Sequence, residues 1–177
     1  DPAVIEEGRY LVNEVAHCSA CHGPGEAANK HELGPEGDLS GGYVMHAGPF
    51  GTYYPANLTP DPETGLGEVD DAHVARAIRY GVDRHGVLAP LMTLAVGTFA
   101  DEDIVAVLSY LRSLPAKRHA TEKDAFGFIA VMLNKAFQPH DEPAPKYVPR
   151  GGISVERGAY LANGPAVSVR CHTPLDP

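Results

Sequence analysis

The 177-residue chain has no tryptophan, and only 7% of it is aromatic. A core this poor in large rings must take its bulk from something else. Basic residues are also scarce: 14 Lys and Arg stand against 23 Asp and Glu, a formal net charge of −9. Nucleic acids are held through clustered Lys and Arg, so they are excluded as partners. No run of 18 apolar residues occurs, and no segment reads as a membrane-spanning helix. There are three cysteines, too few and odd in number for a disulfide framework. The chain opens on Asp1-Pro2, as a processed, exported chain would, and so would a trimmed one.

Apolar residues make up 44% of the chain, so a packed core can form. The 19 glycines and 16 prolines mean that much of it is loop. Two cysteines stand in Cys18-Ser19-Ala20-Cys21, directly followed by His22. This C-x-x-C-H pattern is the attachment signature of c-type haem. Two intervening residues let both sulfurs reach the two vinyl groups on one haem edge. The next side chain then falls under the iron, where an imidazole nitrogen can ligate it. Zinc would need two further ligands at motif spacing, and no second C-x-x-C is present. A thioredoxin-type pair would need a βαβ setting, and none is visible. A covalently held macrocycle also supplies the bulk that the aromatics do not. Thioether attachment occurs outside the bacterial cytoplasm, so the motif implies a periplasmic location.

The rest of the chain reads as helices and loops. Residues 3–17 carry Ile5, Gly8, Leu11, Val12 and Val15 on one helical face. Gly8 costs a helix about 1 kcal/mol, which a close helix crossing would justify. Residues 23–69 are rich in Gly and Pro and are expected to wrap the haem edge. Residues 70–80 form a short helix opened by Asp70 and Asp71 and stopped by Gly81. Residues 101–114 carry the stripe Ile104, Val107, Leu108, Leu111 and Leu114, with Asp101 as cap and Pro115 as stop. Residues 124–137 read as a helix packed on the domain, followed by a Pro-rich spacer over 138–152.

An electron carrier usually gives haem iron a second axial ligand. Met132 lies in an apolar helix and reads as core. His73 sits beside Arg76 on a solvated helix face. Met92 lies in Ala89-Pro90-Leu91-Met92-Thr93, between the two later helices. Spacing favours Met92 and leaves Met45 and His46 open.

The order of helix, C-x-x-C-H, long loop, Met loop and terminal helix resembles a class I cytochrome c. More closely, the chain resembles the multi-haem cytochrome c subunits of membrane-associated alcohol and gluconate dehydrogenases. The matching segments are Pro49-Phe50-Gly51-Thr52-Tyr53-Tyr54, Asn57-Leu58-Thr59-Pro60-Asp61, Glu63-Thr64-Gly65-Leu66-Gly67 and Arg79-Tyr80-Gly81-Val82. Further matches are Gly86, Pro90-Leu91-Met92 and the stretch from Asp101 to Pro115. The resemblance implies an all-α cytochrome c fold over residues 1–117, with Met92 as distal ligand. Thr93 departs from it, because the family commonly has Pro after that Met.

Residues 158–163 (Gly-Ala-Tyr-Leu-Ala-Asn) echo residues 8–13 (Gly-Arg-Tyr-Leu-Val-Asn) at an offset of 158 − 8 = 150. The same offset pairs Ala166 with Ala16, Cys171 with Cys21, His172 with His22 and Pro174 with Pro24. Ser168 stands where Cys18 stood. Residues 150–177 therefore read as the incomplete opening of a second cytochrome module, joined by a linker over 118–149. Cys171 and His172 are candidates for a second haem held by one thioether.

The expected function is a periplasmic one-electron relay carrying haem c at Cys18, Cys21, His22 and Met92. The −9 charge suits a redox partner with a basic docking patch, such as a dehydrogenase passing electrons toward a respiratory acceptor. The rival reading is a haem enzyme with a labile distal site, doing peroxide or thiosulfate chemistry. A further reading makes the chain one relay in a multi-haem assembly that docks through residues 118–177.

Overall fold

The computed structural model describes residues 1–25, 37–89, 92, 97–136, 145–147, 153–166, 168 and 172. The first helix, α1 (Pro2–Tyr10), starts where Asp1 accepts a 2.9 Å hydrogen bond from the Ala3 N–H and Pro2 takes an early helical position. It does not run on as one α-helix to residue 17. Residues Leu11–Val15 widen into a π turn, closed by Ala16 N–H donating to Leu11 O at 2.9 Å. Such insertions are rare and frequently lie at functional sites. Here the turn delivers the chain into α2 (Ser19–His22), the helical turn that carries the motif.

The third helix, α3 (Asp71–Tyr80), begins at Asp70, whose carboxylate accepts from Ala72 N–H at 2.7 Å. It stops at Gly81, which adopts the left-handed conformation, φ 65°. The fourth, α4 (Asp101–Ser113), buries Ile104, Val107, Leu108 and Leu111 as the periodicity requires. Its cap differs from expectation. Ala100 occupies the capping position without a side-chain bond, and Asp101 is the first helical residue. The Asp101 carboxylate is engaged by Arg79 at 2.6 Å instead.

Helices α1 and α4 cross at Gly8. A Cβ there would lie 2.7 Å from Tyr110 Cβ and closer still to the Ala106 carbonyl. The backbone carbonyl cannot swing away, so Gly8→Leu should cost about 3 kcal/mol through overpacking. A lowered urea midpoint at unchanged m-value would check this. The core around the crossing contains Leu11, Val12, Val15, Leu39, Val74, Ile78, Phe99 and the α4 stripe.

The helical expectation holds for this core but not for the whole chain. Three short strands form an antiparallel sheet in the order β1 (Met45–His46), β2 (Gly51–Tyr53), β3 (Ala125–Phe126). Met45 pairs with Tyr53, and Gly51 with Phe126. Strands of two and three residues are too short to show an alternating pattern. Tyr53 and Phe126 meet edge to face with centroids 5.8 Å apart. β3 takes the residues expected to open a helix at 124, so α5 covers only Phe128–Ala136. That helix rests on Ala130, while Phe128 is 77% and Met132 57% exposed. Met132 is therefore not the core residue its sequence setting suggests. Among the described residues, no helix is long and apolar enough to cross a membrane.

The last helix, α6 (Val155–Asn163), is the repeat of α1 and is capped by Ser154, which accepts from Arg157 N–H at 3.1 Å. The repeat persists in the backbone. Ala166 N–H donates to Leu161 O at 2.9 Å, the counterpart, 150 residues on, of the Ala16–Leu11 bond. One side of α6 is joined to the first module. Arg157 pairs with Glu7 at 2.7 Å and lies 3.6 Å from Asp103. The Tyr160 hydroxyl donates to Asp103 at 2.7 Å and accepts from Ala100 N–H at 2.8 Å. Asp103 is fully buried. Burial, and then donation to Asp103, push the Tyr160 hydroxyl well above the usual phenol range.

Candidate functional site

His17 turns the chain from the π turn into α2. Its φ is 49°, the only non-glycine in the left-handed region among the described residues. Histidine is one of the few side chains that tolerate this conformation. Beyond it, Cys18 N–H donates to Val12 O at 3.0 Å, and His22 N–H to Cys18 O at 2.8 Å. The turn thus holds Cys18 and Cys21 with two residues between them and both thiols unpaired. Cys18 is half-buried and packs against the core cluster. Burial, reinforced by neighbouring Cys21, pushes its thiol up to about 12.

His22 is buried, and its Nδ1 lies 2.8 Å from the Ala56 carbonyl oxygen. A carbonyl can only accept, so Nδ1 carries the proton and donates. Burial holds the imidazole below its usual pKa, against the smaller opposing effect of the Ala56 bond. The ring is therefore neutral at pH 7, with its Nε2 lone pair uncommitted by that bond. A metal-ligating histidine has its tautomer and ring orientation fixed by just such a bond from the other nitrogen. The residues present fit a covalently held haem on this ground.

Nothing in the residue pattern points to Ala56, because a backbone carbonyl leaves no mark there. What positions it is a folded loop that begins at the next residue. Asn57 is 1% exposed and donates through Nδ2 to Lys117 O at 2.8 Å and to Thr64 Oγ1 at 3.1 Å. Its Oδ1 accepts from Thr59 N–H and Oγ1 at 2.9 and 2.8 Å. Asp61 then accepts from Thr64 N–H at 2.7 Å and Thr64 Oγ1 at 2.8 Å. The signal that could have found this loop is local: Asn-x-Thr and Asp-x-x-Thr spacings favour side-chain-to-backbone turns.

The Thr64 hydroxyl and backbone N–H hold the Asp61 carboxyl below its ordinary range. A carboxylate with a depressed folded pKa adds stability above its unfolded value near 3.9, and that stability is lost as pH falls through the folded value. Asp61→Asn should therefore flatten the acid limb of the stability profile. Urea midpoints of both proteins from pH 6 downward would show it. Parallel acid limbs would mean that Asp61 does not contribute.

Met92 is half-buried and packs against the same core cluster as Cys18. Its N–H donates to Ala89 O at 3.0 Å. Pro90, Leu91 and Thr93 lie outside the described residues. Met45 sits in β1 and is not part of that cluster. His46 is exposed and engages Thr52 Oγ1 at 3.2 Å. His73 is exposed on α3, as a solvated face requires. His172 is exposed, and Cys171 lies outside the described residues. Among the described residues, no group of three or more His, Cys, Asp or Glu could hold a bare metal ion.

Two cysteines and a tautomer-fixed histidine on one helical turn, set against a helical core, suit the covalent attachment of haem. No protein-family model matches the chain. It is 32% identical over 97% of its length to a nicotinate dehydrogenase subunit of Pseudomonas putida, of which it covers 14%. It is 30% identical over 97% of its length to the gluconate 2-dehydrogenase cytochrome c subunit of Pantoea cypripedii, covering 38% of that protein. It is 29% identical over 98% of its length to the cytochrome c subunit of the quinone alcohol dehydrogenase of Gluconacetobacter polyoxogenes, covering 36%. The chain is thus similar over nearly its whole length to cytochrome c subunits of dehydrogenases. It spans little more than a third of those two cytochrome subunits and 14% of the nicotinate dehydrogenase subunit.

Proposed function

We propose that the chain is an exported, periplasmic one-electron relay whose haem c is held by Cys18, Cys21, His22 and Met92. It would serve between a dehydrogenase and a respiratory acceptor. The observation that carries this reading is the buried His22, with Nδ1 committed to Ala56 at 2.8 Å beside the two unpaired cysteines. When bound, the haem supplies a one-electron iron centre. The two thiols would anchor it, each by adding its S–H across a vinyl group with no change in electron count. His22 offers Nε2 on one side. Met92 offers a thioether, which favours ferrous iron over what a second imidazole would give. The −9 charge favours a partner with a basic docking face and salt-weakened association.

Intact mass under denaturing conditions, before and after acid-acetone extraction, tests the attachment. The mass of one haem should remain on the peptide spanning residues 18–22. Its release by extraction would overturn the covalent reading. The same spectrum counts a second haem at Cys171 and His172, which only one thioether would hold.

A further inference from the structure

Met92 lies on a segment that leaves α3 at Gly81 and returns to the core at Phe99, which is 2% exposed. Both ends of that segment are fastened to α3. At the outgoing end, Arg76 Nη2 donates to Asp83 O and Ala89 N–H donates to Gly81 O, each at 2.6 Å. The Asp83 carboxylate closes the turn between them by accepting from His85 N–H at 2.8 Å and Val87 N–H at 2.7 Å. At the returning end, the Arg79 guanidinium spans three acceptors. They are Gly97 O at 3.3 Å, Phe99 O, and the Asp101 carboxylate at 2.6 Å. The side chain of Arg79 is 10% exposed and that of Asp101 is 75% exposed. An ion pair with one partner so open to water contributes little. The weight of the contact therefore falls on the two carbonyls.

We propose that Arg79 is a positioning residue for Met92: by holding the returning end of its segment on α3, it governs how firmly the thioether stays on haem iron. This rests on the reading of Met92 as distal ligand and adds the group that keeps it in place. Met92 packs against the cluster that contains Val74 and Ile78 of α3. Arg79 lies on the same helix, so helix, cluster and segment form one frame. The outgoing end includes a backbone pair, Ala89 on Gly81, that no side-chain change removes. The returning end relies on a planar fork that reaches two carbonyls at once, and an ammonium cannot reproduce it. Without that fork, the tie at Gly97, five residues past Met92, is gone. Met92 then leaves the iron more readily while the helices stay folded.

Urea titration of the oxidised, haem-loaded protein, followed both by the far-red sulfur-to-iron band and by helical circular dichroism, tests this. In Arg79→Gln the band should be lost at much lower urea, while the helical midpoint moves far less. Without urea, carbon monoxide should bind the reduced iron about tenfold to a hundredfold faster than in the parent, the worth of a hydrogen bond from a charged donor. Arg79→Lys keeps the charge but not the fork, and should fall between the two. Should Arg79→Gln fail to fold, the same two midpoints in Arg79→Lys decide the matter. Midpoints that shift together would overturn the proposal, because Arg79 would then support the fold alone. So would an unchanged band and unchanged carbon monoxide binding in both variants. A parent protein with no far-red band would instead defeat the Met92 reading, and this proposal with it, before any Arg79 variant is measured.

Discussion

His22→Ala should abolish the low-spin haem spectrum while leaving haem mass on Cys18 and Cys21. The thiols and the imidazole sit on one helical turn but do separate work. The cysteines would anchor the macrocycle covalently, and only His22 presents a nitrogen fixed by Ala56 at 2.8 Å. Without it, water or a small ligand would take the place of the imidazole. Added imidazole should restore the low-spin bands, because the deleted ring leaves room and Ala56 still offers its carbonyl. A low-spin spectrum that survives His22→Ala without imidazole would mean another residue ligates the iron on that side. Loss of haem altogether would mean that attachment requires the ring.

Met92→Ala should remove the far-red sulfur-to-iron band of the oxidised protein and open the reduced iron to carbon monoxide. The potential should fall, by some part of the roughly 0.8 V over which axial ligation sets haem potentials. The packing of Met92 against the cluster that also receives Cys18 motivates this. Met45→Ala is the matched control. A far-red band that persists in Met92→Ala and vanishes in Met45→Ala would transfer the role to the β1 residue.

The parts of this molecule that can be read from its residues are those whose cause is local. Asp70 and Gly81 bracket α3 because a short acceptor and a left-handed residue act at the position they occupy. The α4 stripe is buried because period and burial are one fact seen twice. The C-x-x-C-H motif is legible for the same reason. Asp101 looks like a cap and is not one, because Arg79, 22 residues earlier, competes for its carboxylate. The three strands leave no trace because each is shorter than one alternation that could be trusted. β3 pairs with β2 across some 70 residues, a distance over which no local preference acts. Ala56 is invisible because its contribution is a carbonyl.

The far end of the Asn57 loop bears on the reach of the chain. Lys117 O receives Asn57, His119 donates through Nδ1 to Ser40 O at 3.0 Å, and Asp124 accepts from Tyr54 N–H at 2.7 Å. With β3 paired and α5 resting on Ala130, the segment expected to act as linker is fastened to the haem module as far as Ala136. Only residues 137–152 lie between that end and Ile153, and even a fully extended stretch of that length spans no more than about 60 Å. Arg157 and Tyr160 therefore meet Glu7 and Asp103 within one chain, and dilution does not weaken those contacts.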